Sequence, residues 1–373
     1  MNGIAQCVPM DTVDASRLVE LHLIRDFVPQ WEALIDADPD ATVFQSPALF
    51  FAWHATATAD EQPLMLVAAA KGEIIGCAAM VLRSRITRGI RTRVVAFANP
   101  RGDVLSAFRR DDVVRSICDW LQRHSRDWDV LELDDIRPAT AEAIRQCFQR
   151  ERRFDVEPLA PAPAEAFIDT SIGWDAYLQL RGAHFRHRLR PQTRRIERLG
   201  TVSLRRYAGQ AAQAPYEEFL QLEPQSWKSR SGDTQLPERE RAAFRHLICN
   251  ADGRVDPDVL FLDVDERPVA AMLSLTHRHS YYLFVTYFDD TIRAFYPGRR
   301  LFLESILYGF SRSQVRELSF VGAYPFAQAW CDLKREYCNL KVYGSGLRAR
   351  WARSFAPRAE PHVGVPASQV EHA

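Results

Sequence analysis

Two adjacent arginines follow a proline and a glycine where a helix is predicted to begin. The segment reads Tyr-Pro-Gly-Arg-Arg over residues 296–300. Apolar residues then recur at helical spacing: Leu303, Ile306, Leu307 and Phe310. The first N–H groups of a helix are free and its N-terminus is partly positive, so Gly298, Arg299 and Arg300 are candidates for holding phosphate groups. The alternative is an ordinary connection with solvated arginines.

Three predicted strands precede this helix and would position it. They cover residues 259–264, 268–275 and 280–287, which are rich in β-branched and aromatic side chains. Short polar turns separate them, a pattern that is typical of an antiparallel meander. The first two strands form a hairpin, and the third leads into the helix through Asp289 and Asp290.

An earlier hairpin, residues 64–81, can be set beside residues 259–275 without a gap. Its polar turn coincides with the later one, and several positions match in character: Leu66/Phe261, Val67/Leu262, Ile74/Val269, Cys77/Met272 and Met80/Leu275. Each hairpin is followed by a strand, a helix and another strand. The sequence therefore predicts an internal duplication of one α/β unit.

The strands, the Arg-x4-Gly-Arg-Arg pattern at 293–300 and the helix after it resemble the acyl-CoA-binding motif of the GNAT superfamily of N-acyltransferases. Three features resemble, more narrowly, the GNAT subgroup often found beside cellulose and exopolysaccharide biosynthesis. They are the Tyr-Pro-Gly before the helix, Ser-Trp-Lys at 226–228 and the arginine-rich segment 184–200. The resemblance covers residues 160–345.

The fold class implied by the resemblance is α/β (α+β), with two tandem GNAT-like domains, each a mixed, mostly antiparallel sheet flanked by helices. The proline-rich segment 158–163 predicts the boundary. We expect an N-terminal domain at 1–160, a C-terminal domain with the acyl-CoA site at 161–355 and a disordered tail at 356–373. The first copy begins its helix with Arg-Asp-Asp at 110–112, where carboxylates would repel a pyrophosphate, so we expect no acyl donor there.

The resemblance implies acyl-CoA-dependent transfer of an acyl group, such as acetyl, to an amine acceptor in cell-envelope or exopolysaccharide metabolism. The amine would attack the thioester directly, so the protein would position both substrates, move a proton and stabilise the oxyanion. Acetyl-CoA or another acyl-CoA is the expected co-substrate, and no metal is expected. The residues expected to bind it are Phe284, Val285, Thr286, Tyr287, Arg293, Gly298, Arg299 and Arg300.

The candidate catalytic side chains are few. Glu223 is a candidate base or acceptor anchor, or else a helix-surface glutamate. Tyr324 lies in a loop after a strand, where members of the family commonly place active-site residues, and is the candidate acid for the departing thiolate. The motif after it departs from the subgroup, because Phe-Ala-Gln-Ala-Trp at 326–330 stands where a shorter Tyr-Lys motif is usual.

The candidates for binding the acceptor are mostly cationic. Five residues are assigned to it: Trp227, Lys228, Arg186, Arg190 and Lys334. Seven arginines lie between Arg181 and Arg198 against one acid, Glu197. This segment is either a solvated helix or a surface for an anionic acceptor such as a nucleotide-sugar, a lipid-linked pyrophosphate or RNA. Pro191 is expected to break or kink its helix.

Composition limits the alternatives. Lys+Arg and Asp+Glu are equal at 48, and the net charge of +0 argues against general binding to nucleic acid or to a membrane surface. The 7 cysteines are scattered and odd in number, which favours a reducing cytoplasm over a disulfide framework. We expect no signal peptide and no transmembrane segment. Near the N-terminus, the apolar pattern predicts a helix over residues 15–36.

Two other functions fit the same pattern. The first is a Fem-type transferase, which also pairs two GNAT-like copies but takes aminoacyl groups from tRNA. Its usual coiled-coil arm has no counterpart here, since the sequence contains no long heptad run. The second is a catalytically inactive GNAT scaffold in a polysaccharide synthesis complex. The intact glycine and arginines at 298–300 argue against it.

Overall fold

A computed structural model describes residues 12–226, 236–322, 325–331 and 333–355. The strands are β1 Val13–Leu18, β2 Glu61–Ala70, β3 Glu73–Thr87, β4 Ile90–Phe97, β5 Leu105–Ser106, β6 Val130–Ile136, β7 Asp155–Val156, β8 Ala160–Asp169, β9 Val202–Ala208, β10 Val255–Val264, β11 Arg267–His277, β12 Ser280–Phe288, β13 Glu317–Ser319 and β14 Leu333–Tyr343. The α-helices are α1 Leu21–Asp26, α2 Val28–Ala37, α3 Pro47–His54, α4 Arg110–Arg123, α5 Pro138–Gln149, α6 Trp174–Leu180, α7 Ala183–Arg194, α8 Gln213–Gln221, α9 Glu238–Cys249, α10 Pro297–Ser311, α11 Pro325–Gln328 and α12 Leu347–Ser354.

The described chain forms two compact units. The first contains residues 12–50, 57–162 and 338–355, and the second contains 51–56 and the described part of 163–337. The boundary after residue 162 lies close to the expected one, but residues 338–355 lie with the first unit. Each unit has a mixed, mostly antiparallel sheet flanked by helices, so the predicted fold class is confirmed.

The first unit orders its strands β1-β2-β3-β4-β6-β14. All neighbours are antiparallel except β4 and β6, which pair in parallel through Val94 and Val130. The helices α4 and α5 cover an apolar core that includes Leu66, Ile117 and Phe148. The β2–β3 hairpin has the predicted turn. Apolar runs form the two strands, and Lys71 and Gly72 separate them.

The second unit orders its strands β8-β13-β12-β11-β10-β9. Here β12 and β13 are parallel and the other neighbours are antiparallel. Helix α10 begins at Pro297, as predicted, and packs with Leu301 and Ile306 in the core. Helix α7 packs against α10, which places the arginine-rich segment beside it.

Two local predictions need correction. Residues 15–18 belong to strand β1, which pairs with β2, so the helix predicted over 15–36 starts later and is split into α1 and α2. Pairing between distant segments decided this, and a local pattern does not show it. Pro191 does not break its helix, since α7 continues to Arg194 and turns into a 3-10 segment at Arg195–Arg198, and the alternative of a kink at Pro191 stays a prediction.

Candidate active site

Strands β12 and β13 separate at the centre of the second unit. They pair only from Ser280 to Tyr282, opposite Glu317–Ser319, whereas β12 continues along β11 to Phe288. No described strand pairs with the other edge of Leu283–Phe288. A strand edge without a neighbouring strand can present backbone N–H and C=O groups to an extended ligand. The four residues expected to hold the thioester and its pantetheine arm, 284–287, all lie on this stretch.

A β-bulge lies at the point where the strands separate. The register with β11 pairs Leu273 with Val285 but Ser274 with Leu283, which leaves Phe284 as the extra residue. A bulge bends its strand and changes the direction of nearby backbone groups. The Phe284 ring packs edge-on against Phe244 with centroids 5.5 Å apart. The bulge therefore lies on the stretch of β12 that no described strand covers.

The start of α10 lies next along the chain. Its N-cap, Tyr296, has a left-handed conformation (φ 57°, ψ 49°), and no side chain among the described residues caps the helix there. The first N–H groups of a helix lack intrahelical partners, so this end can accept an anion. A Cβ atom on Gly298 would lie 3.3 Å from the Phe288 ring, so this glycine also lets α10 pack closely on β12.

Arginines surround this helix end. The guanidinium groups of Arg299 and Arg195 lie over the Tyr296 ring, 5.2 and 5.6 Å from its centroid. Burial lowers the pKa of Arg299 and the positive charge of Arg188 adds to this, while Tyr296 acts in the opposite direction. Like charges that crowd a half-buried position destabilise one another, and a bound anion would offset that cost.

The second arginine of the motif has a different environment. Arg300 donates from Nε to Glu304 at 2.7 Å and from Nη1 to Glu197 at 3.0 Å. Its Nη1 also donates to the carbonyl of Thr193 at 3.3 Å. Two carboxylates thus neutralise Arg300 and tie α10 to the segment after α7. Arg299 instead donates to the neutral amide of Gln192 at 2.6 Å. The two neighbouring arginines therefore have different partners among the described residues.

Of the remaining cationic candidates, three are exposed and one is partly buried. Arg186 and Arg190 are exposed on α7, and Arg186 donates to the carbonyl of Gln179 at 3.1 Å, near the end of α6. Arg293 is partly buried in the 3-10 segment Asp290–Phe295. Lys334 is exposed at the start of β14. Because α7 packs against α10, the exposed arginines of α7 lie on a helix that borders the candidate site.

Glu223 lies beside the last part of β12. Its carboxylate is buried, with an exposed fraction of 3%. One oxygen accepts the backbone N–H of Leu236 at 3.1 Å and the other pairs with Arg241 at 2.9 Å. Burial raises the pKa of Tyr287 well above its usual range, and the negative charge of Glu223 adds to this. Glu223 is therefore buried and is not a helix-surface glutamate, the alternative given above. Its role as a base stays a prediction.

Sequence reasoning missed a buried polar cluster at the end of β13. Glu165 is fully buried and accepts hydrogen bonds from Ser319 Oγ, from Tyr337 Oη at 2.6 Å and from Arg335 at 3.0 Å. Ser319 Oγ in turn accepts the N–H of Val321 at 3.0 Å. The cluster therefore fixes the first residues of the loop after β13. A lone glutamate within the apolar run Ala-Glu-Ala-Phe-Ile at 164–168 was the available signal.

The corresponding helix end in the first unit is built differently. Its N-cap, Arg109, is also left-handed (φ 56°, ψ 43°), and α4 follows it. Arg110 pairs with the buried carboxylates of Asp38 at 3.1 Å and Asp103 at 3.3 Å. Arg137 also pairs with Asp103. Protein carboxylates thus lie where a phosphate would be expected by analogy with the second unit.

Several predicted features lie outside the described residues. They are Trp227, Lys228, Tyr324 and the tail 356–373. Among the described residues, no group of three or more histidine, cysteine, aspartate or glutamate side chains could hold a metal ion. Of the helices described, none is long and apolar enough to cross a membrane.

Part of the second unit matches a known protein family. A family model described as an acetyltransferase (GNAT) domain matches residues 183–328. This match covers α7, β12 and α10, the elements that form the candidate site. No curated protein matches the chain.

Solved structures share the fold at low sequence identity. FemX has a TM-score of 0.62 at 10% identity, covering 91% of this chain and 99% of FemX. A conserved protein of unknown function from Bacteroides thetaiotaomicron VPI-5482 has a TM-score of 0.52 at 11% identity, covering 85% and 97%. L-PGS from Bacillus licheniformis has a TM-score of 0.51 at 13% identity, covering 88% and 97%. Residues 183–328 therefore match the model of a GNAT-type acetyltransferase domain, and the fold of this chain is similar to those of FemX and L-PGS.

Proposed function

We propose that this protein is an acyl-CoA-dependent N-acyltransferase that uses its second unit. The observation that carries the proposal is that no described strand lies along the β12 edge at Leu283–Phe288, beside the start of α10, which no described side chain caps. The edge fits an extended pantetheine arm, which carries amide groups, and the helix end with Arg299 and Arg195 fits a pyrophosphate. Both features occur within residues 183–328, which match the acetyltransferase family model.

The chemistry asked of the protein is modest. An N–H group at the bulge near Phe284 would donate to the thioester carbonyl as negative charge develops on its oxygen. The amine nitrogen attacks the carbonyl carbon, the C–S bond breaks, and the amine loses a proton while the thiolate gains one. Glu223, beside the end of β12, is the proposed proton acceptor or acceptor anchor, and Tyr324 is the proposed proton donor.

The acceptor is proposed to be an amine on an anionic small molecule or saccharide in cell-envelope or exopolysaccharide metabolism. Support comes from the exposed arginines of α7, which packs against α10. Arg186 and Arg190 lie on this helix, with Trp227 and Lys228 following later in the chain. An exposed cationic surface attracts an anionic acceptor over about 8–10 Å at physiological ionic strength.

Binding of acetyl-CoA, measured by calorimetry, tests the donor class. We expect binding in about the micromolar range, near 8 kcal/mol of binding free energy. Thiol release on mixing acetyl-CoA with a panel of simple amines and amino sugars then tests turnover. A chain that binds neither acetyl-CoA nor longer acyl-CoAs would contradict the proposal.

A Fem-type aminoacyl-tRNA-dependent transferase is the second candidate. The similarity to FemX over 91% of this chain and the exposed arginines of α7 favour it. Transfer from aminoacyl-tRNA, with no binding of acyl-CoA, would establish this alternative. Binding of neither donor would instead favour the inactive scaffold.

A further inference from the structure

Two cysteines face each other in the first unit, away from the proposed donor site. Cys118 lies on α4 and is fully buried, whereas Cys147 lies on α5 and is partly exposed against the same core. Gln122, one helical turn after Cys118, donates from Nε2 to the carbonyl of Cys147 at 3.1 Å. Residues four apart share one helix face, so this bond places Cys118 on the side of α4 that faces Cys147.

The two thiols interact directly and have different environments. A hydrogen bond from Cys118 lowers the pKa of Cys147 to about 7, helped by the charges of Arg150 and Arg115 and opposed by burial and Asp119. The same hydrogen bond, together with burial, raises the pKa of Cys118 well above its usual range. A partly exposed thiol that ionises easily, next to a buried one that does not, is the arrangement of an attacking and a resolving cysteine.

The other cysteines of the described residues lie in different environments. Cys77, Cys331 and Cys338 are buried, and Cys249 is exposed at the end of α9. Among the described cysteines, only Cys118 and Cys147 have thiols that interact with each other. Both are free thiols in the structure.

We propose that Cys118 and Cys147 form a peroxide-sensitive pair that closes to a disulfide between α4 and α5. The Cys147 thiolate attacks one oxygen of hydrogen peroxide, the O–O bond breaks, and a sulfenic acid and hydroxide form. The sulfur of Cys118 then attacks the sulfenic sulfur, the S–O bond breaks, and the proton of Cys118 leaves with that oxygen as water. Two thiols are oxidised to one disulfide, and one peroxide is reduced to two waters.

The test treats the reduced full-length protein with hydrogen peroxide in equimolar amount. We expect a loss of two hydrogen masses, a decrease of two in the free thiols from the 7 of the chain, and a non-reducing peptide map that links Cys118 to Cys147. Thioredoxin or dithiothreitol should restore both thiols.

Single variants separate the two roles. Cys118→Ala should leave a sulfenic acid at Cys147 that dimedone traps, with no disulfide, whereas Cys147→Ala should abolish both products. Cys249→Ala is the matched control, and its loss of two thiols should equal that of the wild type. Oxidation of Cys249 before any loss at Cys147, or a disulfide that maps elsewhere, would overturn the proposal. Because the peptide map uses the wild type, it decides the question even if a variant fails to fold.

Discussion

Arg299 and Arg300 are neighbours in sequence, yet replacing each with alanine should have different effects. Arg299 lies over Tyr296 at the start of α10 and donates a hydrogen bond to the neutral amide of Gln192. Arg300 is paired with Glu197 and Glu304. We therefore expect Arg299→Ala to weaken binding of acetyl-CoA and Arg300→Ala to weaken the fold.

The magnitudes follow from the contacts. A hydrogen bond from a charged group contributes about 1.5–3 kcal/mol, so Arg299→Ala should raise the Kd for acetyl-CoA about 10- to 100-fold. Each ion pair of Arg300 is only partly buried and contributes about 0.5–1 kcal/mol, so Arg300→Ala should lower the free energy of unfolding by about 1–2 kcal/mol. The Kd of Arg300→Ala for acetyl-CoA should change less than about 3-fold, because this variant loses only contacts within the protein.

Calorimetry at one fixed ionic strength measures both affinities, and urea unfolding measures both stabilities. Arg299→Lys is the matched control, because it keeps the charge but loses the planar fork and should bind with intermediate affinity. If Arg300→Ala weakened binding as much as Arg299→Ala, the assignment of the two arginines would be wrong. If neither changed the Kd, the anion site would lie elsewhere.

Three further predictions follow from the structure. Glu223→Gln removes the nearer carboxylate partner of Arg241, which also lies 4.0 Å from Glu238, and should lower the free energy of unfolding by about 1–3 kcal/mol in urea titrations. A loss of kcat in the folded variant would support the proposed role of Glu223 as the base. Arg110→Ala removes one ion pair from each of the buried carboxylates of Asp38 and Asp103 and should cost about 3 kcal/mol in the same assay, at the low end for a buried pair because Arg137 still pairs with Asp103, while the folded protein keeps its acetyl-CoA affinity. If Arg110→Ala instead lowered the affinity for acetyl-CoA, the donor site would lie in the first unit. The alkylation rate of Cys147 by iodoacetamide should rise with pH through a midpoint of about 7, because the folded state favours the thiolate. The stability that the Cys147 thiolate contributes to the fold is present above the unfolded pKa of the thiol and is lost as pH falls through about 7. An alkylation midpoint at the ordinary pKa of a thiol would contradict this prediction.

Much of the second unit could be predicted because its signals are local. The β10–β11 hairpin has nearly continuous apolar runs on both sides of a polar turn, and α10 starts with proline at its first position. The separation of β12 and β13 could not be predicted. It depends on where β13 ends and on a bulge at Phe284, and both are set by pairing between distant segments.

The sequence by itself determined the hairpins, the start of α10 and the presence of a basic segment near a phosphate-binding pattern. Only the tertiary structure decided which charges remain available to a ligand. Arg300 meets Glu197, more than a hundred residues away, and Glu165 meets Ser319 and Tyr337. Side-chain charge is a property of one residue, whereas neutralisation requires a partner within about 4 Å, and folding alone brings such partners together.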